Sequence, residues 1–185
     1  MEGLVEGNSV KAKEMLAASG YDGTPVVLLY PSDLGVIKQL GPVAKSALEK
    51  AGFKVDLQAL DWQSMIVRLQ KKGPVSDGGW NAFSTSWSQV DILDPLMTPF
   101  LAATCDMARA GWPCDEGMEK LRDKYVKAET AAEKKAVAEE VQRYALQIVT
   151  HVPLGEWFGV AAVRTNVSTM AVPPPITVFW GMSKK

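Results

Sequence analysis

Few side chains in this 185-residue chain could do covalent or acid–base chemistry. There is one histidine, His151, and there are two cysteines, Cys105 and Cys114. A Ser-His-Asp device would have to use His151, and no G-x-S-x-G is present to raise a serine on a nucleophile elbow. A structural zinc would need both cysteines, His151 and a carboxylate, and their spacing does not favour one. Neither G-x-x-x-x-G-K-[ST] nor G-x-G-x-x-G occurs, so the phosphate-cradling loops are missing. The reading at this point is no metal and no cofactor. Two features remain. Asp91 and Asp94 could act as acid and base in a small α/β hydrolase-type enzyme. Trp62 and Trp87 could wall a concave site, as aromatic side chains commonly do.

The elements that must position these residues follow from punctuation and period. Residues 11–19 end at Gly20 and read as the last two turns of a helix with a left-handed cap. Pro25 leads into Val26-Val27-Leu28-Leu29-Tyr30, a continuous apolar run suited to a strand buried on both faces. From Leu34 to Ala51, the residues Val36, Ile37, Leu40, Ala44, Ala47, Leu48 and Ala51 share one helical stripe, stopped by Gly52. Phe53 to Leu60 alternates at period two and reads as a strand with a wetter face. Asp61 caps a second helix carrying Met65, Ile66 and Leu69, ended by Gly73-Pro74. Trp80 to Trp87 is the third strand candidate. Strand, helix, strand, helix, strand is the pattern of a parallel α/β sheet with right-handed crossovers.

The second half changes character. Asp94-Pro95 opens a short apolar segment before the stretch bounded by Cys105 and Cys114. Residues 116–128 carry Met118, Leu121, Tyr125 and Val126 at helical spacing. Thr130 and Glu133 form a capping-box pair before a longer helix with Val137, Val141, Tyr144, Ala145 and Ile148 on one face. His151 follows, where it can meet the helix C-terminal dipole. Pro173-Pro174-Pro175 predicts a stiff polyproline II connector.

Composition narrows the class. With 47% hydrophobic and 22% charged residues, the chain reads as globular. A net charge of −1 argues against a broad nucleic-acid footprint, so no nucleic-acid partner is expected. No apolar run approaches the ~20 residues that span a bilayer. The N-terminus lacks a basic region followed by an apolar one, so any export signal is expected to lie outside this chain.

The ordered features resemble the C-terminal part of a family 5 extracellular solute-binding protein, the peptide- and nickel-type receptors of ATP-driven (ABC) importers. Lys11-Ala12-Lys13 through Gly20-Tyr21 is similar to the family's K-A-K-x-L-L-x-x-A-G-Y segment. Leu48 through Gly52-Phe53-Lys54-Val55 resembles its L-x-x-x-G-I-x-V. Asp61-Trp62 follows the second strand, and Trp87, Asp94-Pro95 and Gly111-Trp112-Pro113-Cys114-Asp115 come next in the family order. Val152-Pro153-Leu154 is similar to its I-P-L stretch. The resemblance covers about residues 11–182, and order and spacing carry it, since no single motif is specific.

The resemblance implies a periplasmic-binding-protein-like α/β fold (type II, cluster C). Residues 1–153 would be lobe II, a parallel-sheet core with flanking helices, with residues 1–20 a remnant helix leading in. Residues 154–185 would return toward a missing N-terminal lobe I of the same protein. The implied function is capture of a peptide or similar small solute in a cleft between two lobes. The closed form would dock on ABC permease subunits in the membrane, with no catalysis, in a periplasmic or extracellular location. Cys105 and Cys114 would be joined by a disulfide; the alternative is two separate thiols in a reducing compartment. A non-enzymatic surface interaction domain is a further alternative.

The implied site lies at the C-terminal ends of the strands, after Tyr30, Leu60 and Trp87. Its candidate ligand-binding residues are Trp62, Ser86, Trp87, Ser88 and Asp91. Family members carry W-x-x-D-x-x-[DE]-P on the cleft lip, where the first acid takes a peptide's ammonium. Here one extra residue stands between Trp87 and Asp91, so ammonium acceptor and plain solvated acid remain equal readings for Asp91. Asp94 reads better as a cap, Trp80 as core, and Trp112 as an anchor of the cysteine loop. Trp62 reads equally as ligand flank or hydrophobic staple. Arg68, Arg109 and Arg164 each could meet a carboxylate, with a solvated surface the default.

Overall fold

The structure is a computed structural model that describes residues 7–159, 162–168 and 179–184. Contacts divide the chain into two units: residues 1–87 with 102–119, and residues 88–101 with 120–185.

The first unit is built on a three-stranded parallel sheet. Helix α1 (Ser9–Ala18) is capped by the Asn8 side chain and ends at Gly20, whose φ is +79°. Strand β1 (Val26–Pro31) is the centre of the sheet, between β2 (Val55–Leu60) and β3 (Ala82–Phe83). Val26 pairs with Val55 and Pro31 with Leu60, in parallel register. Helix α2 (Leu40–Ala51) ends at Gly52, whose φ of +106° favours glycine. Helix α3 (Trp62–Arg68) starts where the Asp61 carboxylate accepts the Ser64 N–H at 3.0 Å. Those hydrogen bonds hold the Asp61 carboxyl below its ordinary pKa.

The core is the apolar run read from the sequence. Val27, Leu29, Met65 and Leu69 are buried together, with Leu60, Trp62, Ile66, Trp80, Phe83 and Ala110 packed against them. Leu29 and Met65 are fully buried, so each contributes roughly 2 kcal/mol by removing its side chain from water.

Two elements differ from the sequence expectation. The helix expected over 34–51 begins only at Leu40, and residues 35–39 are turns. Pro42 explains this: its ring clashes with a carbonyl four residues back, so it sits only in a first turn. Val36 and Ala47, placed on the buried stripe, are exposed, whereas Ile37 is buried. The third strand, expected over 80–87, is only Ala82–Phe83. Its ladder is extended by Ser84 N–H to the Leu29 carbonyl at 3.0 Å and then stops. The next donor on that edge of β1 would be Pro31, which has no N–H.

In the second half, helix α4 (Glu116–Lys127) crosses from the first unit into the second. Its Met118 is buried, but Val126 is 61% exposed and leaves the expected stripe. Helix α5 (Ala131–Ile148) carries the predicted capping box, Thr130 and Glu133 each accepting the other's backbone N–H. Val137, Val141 and Ala145 form its buried face. It ends at Val149, which takes a left-handed φ of +51°. Burial holds the His151 imidazole below its ordinary pKa, so a charged partner for the helix dipole is not what this residue supplies. Its Nδ1 lies 3.0 Å from the Thr150 hydroxyl, and its ring lies 5.6 Å from that of Phe100. Residues 151–159 are without regular structure and mostly exposed. Strands β4 (Val167–Ser168) and β5 (Ser183–Lys184) form an antiparallel pair. The triple proline at 173–175 lies outside the described residues.

Candidate functional site

The loops that leave the sheet at the carboxyl ends of its strands are tied to one another. After β1, Ser32 donates its N–H to the Leu60 carbonyl at 2.8 Å and its hydroxyl to the same oxygen at 3.1 Å. Asp33 accepts the Trp62 N–H at 3.0 Å, so the first loop caps the helix that follows the second strand. These side chains are committed to holding backbone, and the loops are a firm frame.

On this frame the sequence-predicted residues of the first unit are Trp62, Ser86 and Trp87. Trp62 is half-buried and packs against the core cluster. Ser86 is exposed, and Trp87 is half-buried. The Arg109 guanidinium lies over the Trp87 ring, 4.4 Å from its centroid. Arg109 is carried by the loop that the Cys105–Cys114 disulfide closes. Thr104 and Cys114 form an antiparallel bridge, and Cys105 N–H donates to the Pro113 carbonyl at 3.0 Å. Within the loop, Asp106 pairs with Lys72 at 2.7 Å. Lys72 holds the Asp106 carboxyl below its ordinary pKa through that hydrogen bond and its charge. Trp112 lies under the Lys72 ammonium and 6.1 Å from the ring of Trp80, as an anchor should. Trp80 also meets Phe83 edge-on and packs on the core, as its core reading requires.

The second unit holds Ser88 and Asp91. Ser88 is half-buried and accepts the Asp91 N–H at 3.0 Å, and Asp91 is exposed in the single 3-10 turn Gln89–Asp91. Asp94, the other half of the proposed acid–base pair, is engaged. Its carboxylate accepts the Leu96 N–H at 2.7 Å and the Tyr125 hydroxyl at 3.2 Å. Burial, then the bond to Asp94, pushes the Tyr125 phenol above its ordinary pKa. Asp94 therefore caps a turn at Pro95-Leu96, and the segment that follows is turns rather than a helix.

Two further features were not readable from spacing. An open groove of about 520 Å³ runs along α3, lined by Leu60, Gln63, Ser64, Val67, Arg68 and Lys71, and it lies away from Trp87. Arg68 is not a free cation for a ligand, because it donates to the Gly78 and Gly79 carbonyls at 2.8 and 3.3 Å. Among the described residues, no group of three or more His, Cys, Asp or Glu side chains is placed to hold a metal. No helix among them is long and apolar enough to cross a membrane.

A parallel sheet flanked by helices, with its loops gathered at the strands' carboxyl ends, is a fold this chain shares with type II periplasmic binding proteins. Residues 3–108, more than half of the chain, match the family model for bacterial extracellular solute-binding proteins, family 5 (middle region), and the chain belongs to that family. A probable peptide ABC transporter periplasmic-binding protein of Sinorhizobium fredii is 30% identical over 178 residues, covering 96% of this chain and 33% of the relative. The chain thus spans about one third of that relative's length. The fold is shared with NikA of Staphylococcus aureus, solved with Ni(L-His)2, at a TM-score of 0.66 and 14% identity, over 96% of this chain and 38% of that one. It is also shared with the oligopeptide-binding protein AppA of Bacillus subtilis, solved with a nonapeptide. There the TM-score is 0.60 at 17% identity, over 77% of this chain and 30% of that one.

Proposed function

We propose that this chain is the second lobe of a two-lobed solute receptor, with residues 1–153 forming the lobe and residues from 154 onward returning toward a first lobe. The receptor captures a peptide or similar small solute between its lobes, without catalysis, and the closed form delivers it to ABC permease subunits. It works outside the cytoplasmic membrane, in the periplasm or the extracellular space.

The observation that carries this reading is the family match over residues 3–108 together with a parallel sheet whose outgoing loops present Ser86 and Trp87. Open α/β sheets bind ligands at that end of their strands. The engagement of Asp94 by Leu96 and Tyr125 weighs against an acid–base enzyme. Leu154, Trp157 and Phe158 are exposed in a stretch without regular structure, which fits a segment that pairs with another lobe. Asp91 is the candidate acceptor for a ligand ammonium, with Ser88 beside it.

The test is mass spectrometry of solute carried by the two-lobed protein, followed by calorimetric titration of the solute it identifies. The expected result is a bound peptide or small solute, with much weaker affinity for the 185-residue chain than for the two-lobed protein. Equal affinity would defeat the two-lobe reading. Hydrogen exchange adds a check on the chain alone, where low protection is expected over residues 154–159.

A further inference from the structure

The loop closed by Cys105 and Cys114 carries three residues at positive φ: Cys105 at +60°, Trp112 at +43° and Gly111 at +106°. Only glycine takes such angles without cost, so two of the three are held there by their surroundings. The pins are side chains of the loop itself. Asp106 holds Lys72, Trp112 lies against Trp80, and Ala110 packs on the core. The disulfide and the Thr104–Cys114 bridge close the base. Arg109 lies midway along the loop, and its guanidinium is delivered onto the face of Trp87. Trp87 is the last residue of the stretch that leaves β3, beyond the ladder, so the sheet itself no longer fixes its ring.

From this geometry we propose that Arg109 is a positioning residue. The disulfide-closed loop holds its guanidinium against Trp87 and thereby sets the plane of the indole that lines the ligand site. The inference rests on the reading of Trp87 as a ligand wall. Tryptophan is the best of the common rings for a cation–π contact, and the planar guanidinium adds stacking on its face. A ring held by one covered face presents its edge and remaining surface in a defined orientation, which lowers the entropy lost when a ligand orders it.

Two measurements on the 185-residue chain separate this inference from the function it rests on. The first is proton NMR of the residue-109 side chain, which an aromatic face shifts upfield. The shift is expected in the native chain. It should disappear in Trp87→Leu and collapse in Cys105→Ser/Cys114→Ser, while the far-ultraviolet circular dichroism remains that of a folded chain. Arg109→Lys keeps the disulfide and a cation, and should retain a reduced shift. A full shift in the double serine variant would overturn the role of the loop.

The second is titration of a random nonapeptide pool at millimolar concentration, followed on the indole N–H resonances. Arg109→Ala is expected to weaken binding about two- to five-fold, with Arg109→Lys partly restoring it and the melting temperature unchanged. Binding that falls in Trp87→Ala but not in Arg109→Ala would overturn this inference and leave the function standing. Binding unchanged in both variants would overturn the ligand wall itself, with the clamp still visible in the first measurement.

Discussion

Two irregular stretches, residues 88–101 and 105–114, are held in different ways. The second is closed by its own disulfide, and its side chains reach residues beyond it: Asp106 to Lys72, Trp112 to Trp80 and Arg109 to Trp87. The first is held by its own turns and, from helix α4, by the Tyr125 hydroxyl on the Asp94 carboxylate and by Arg122 on the Pro95 and Leu96 carbonyls. The Asp94 carbonyl accepts the Thr98 N–H at 3.0 Å and hydroxyl at 2.8 Å, and the Asp94 carboxylate caps Leu96. It leaves Leu93 and Met97 more than two-thirds exposed. A stretch pinned by side chains can place a functional group. A stretch held on one side by Tyr125 and Arg122, with Leu93 and Met97 turned outward on the other, presents an apolar face.

The largest contrast is in core dependence. Leu29→Ala should cost about 3–4 kcal/mol in urea unfolding, because its site is fully buried. Leu93→Ala should cost less than about 0.5 kcal/mol. Equal costs would mean that residues 88–101 are buried in solution. Next, Cys105→Ser/Cys114→Ser should cost about 2–3 kcal/mol by loop-closure entropy. A loss well below 1 kcal/mol would show that the side-chain pins suffice and would erase most of the contrast.

Asp94→Ala should cost about 1 kcal/mol through the lost cap. It should also lower the Tyr125 titration, read by ultraviolet absorbance against Tyr125→Phe, without returning it to the ordinary value, because burial is the larger cause. The smallest effect is that of pH. Burial holds His151 below 6.5, so the unfolded chain takes up the proton more readily than the folded one. Stability should therefore fall as pH drops below about 6.5 and level out once the folded imidazole is itself protonated. Melting curves of His151→Gln should show a flatter dependence.

Where chemistry is local, it was legible in the residues. The apolar run at Val26–Tyr30, the caps at Asp61 and Thr130, and the stops at Gly20 and Gly52 each rest on neighbours within about four positions. What escaped needed distant partners. Pro31 truncates β3 because its missing N–H faces Phe83 and Ser84, which lie far along the chain. Tyr125 engages Asp94, 31 residues away, and no spacing rule pairs them. The stacking of Arg109 on Trp87 is of the same kind: the two lie 22 positions apart, and no spacing rule pairs them. The cysteine pairing entered through resemblance rather than from geometry.

The central position of β1 carries a consequence for the order of assembly. Its inner edge is completed by residues far downstream, the Val27 N–H donating to the Asn81 side chain across a separation of 54 residues. The nearer partner, β2, follows one helix later and shortens the search. As the chain folds, β1 and β2 can therefore pair first, while the far edge waits for the distant residues beyond Gly79. The polypeptide then departs through residues 88–101 and comes back at 102–119 to finish the same unit. Cys105 and Cys114 lie nine positions apart within that return, so their bond closes locally and narrows the search by which the returning segment docks.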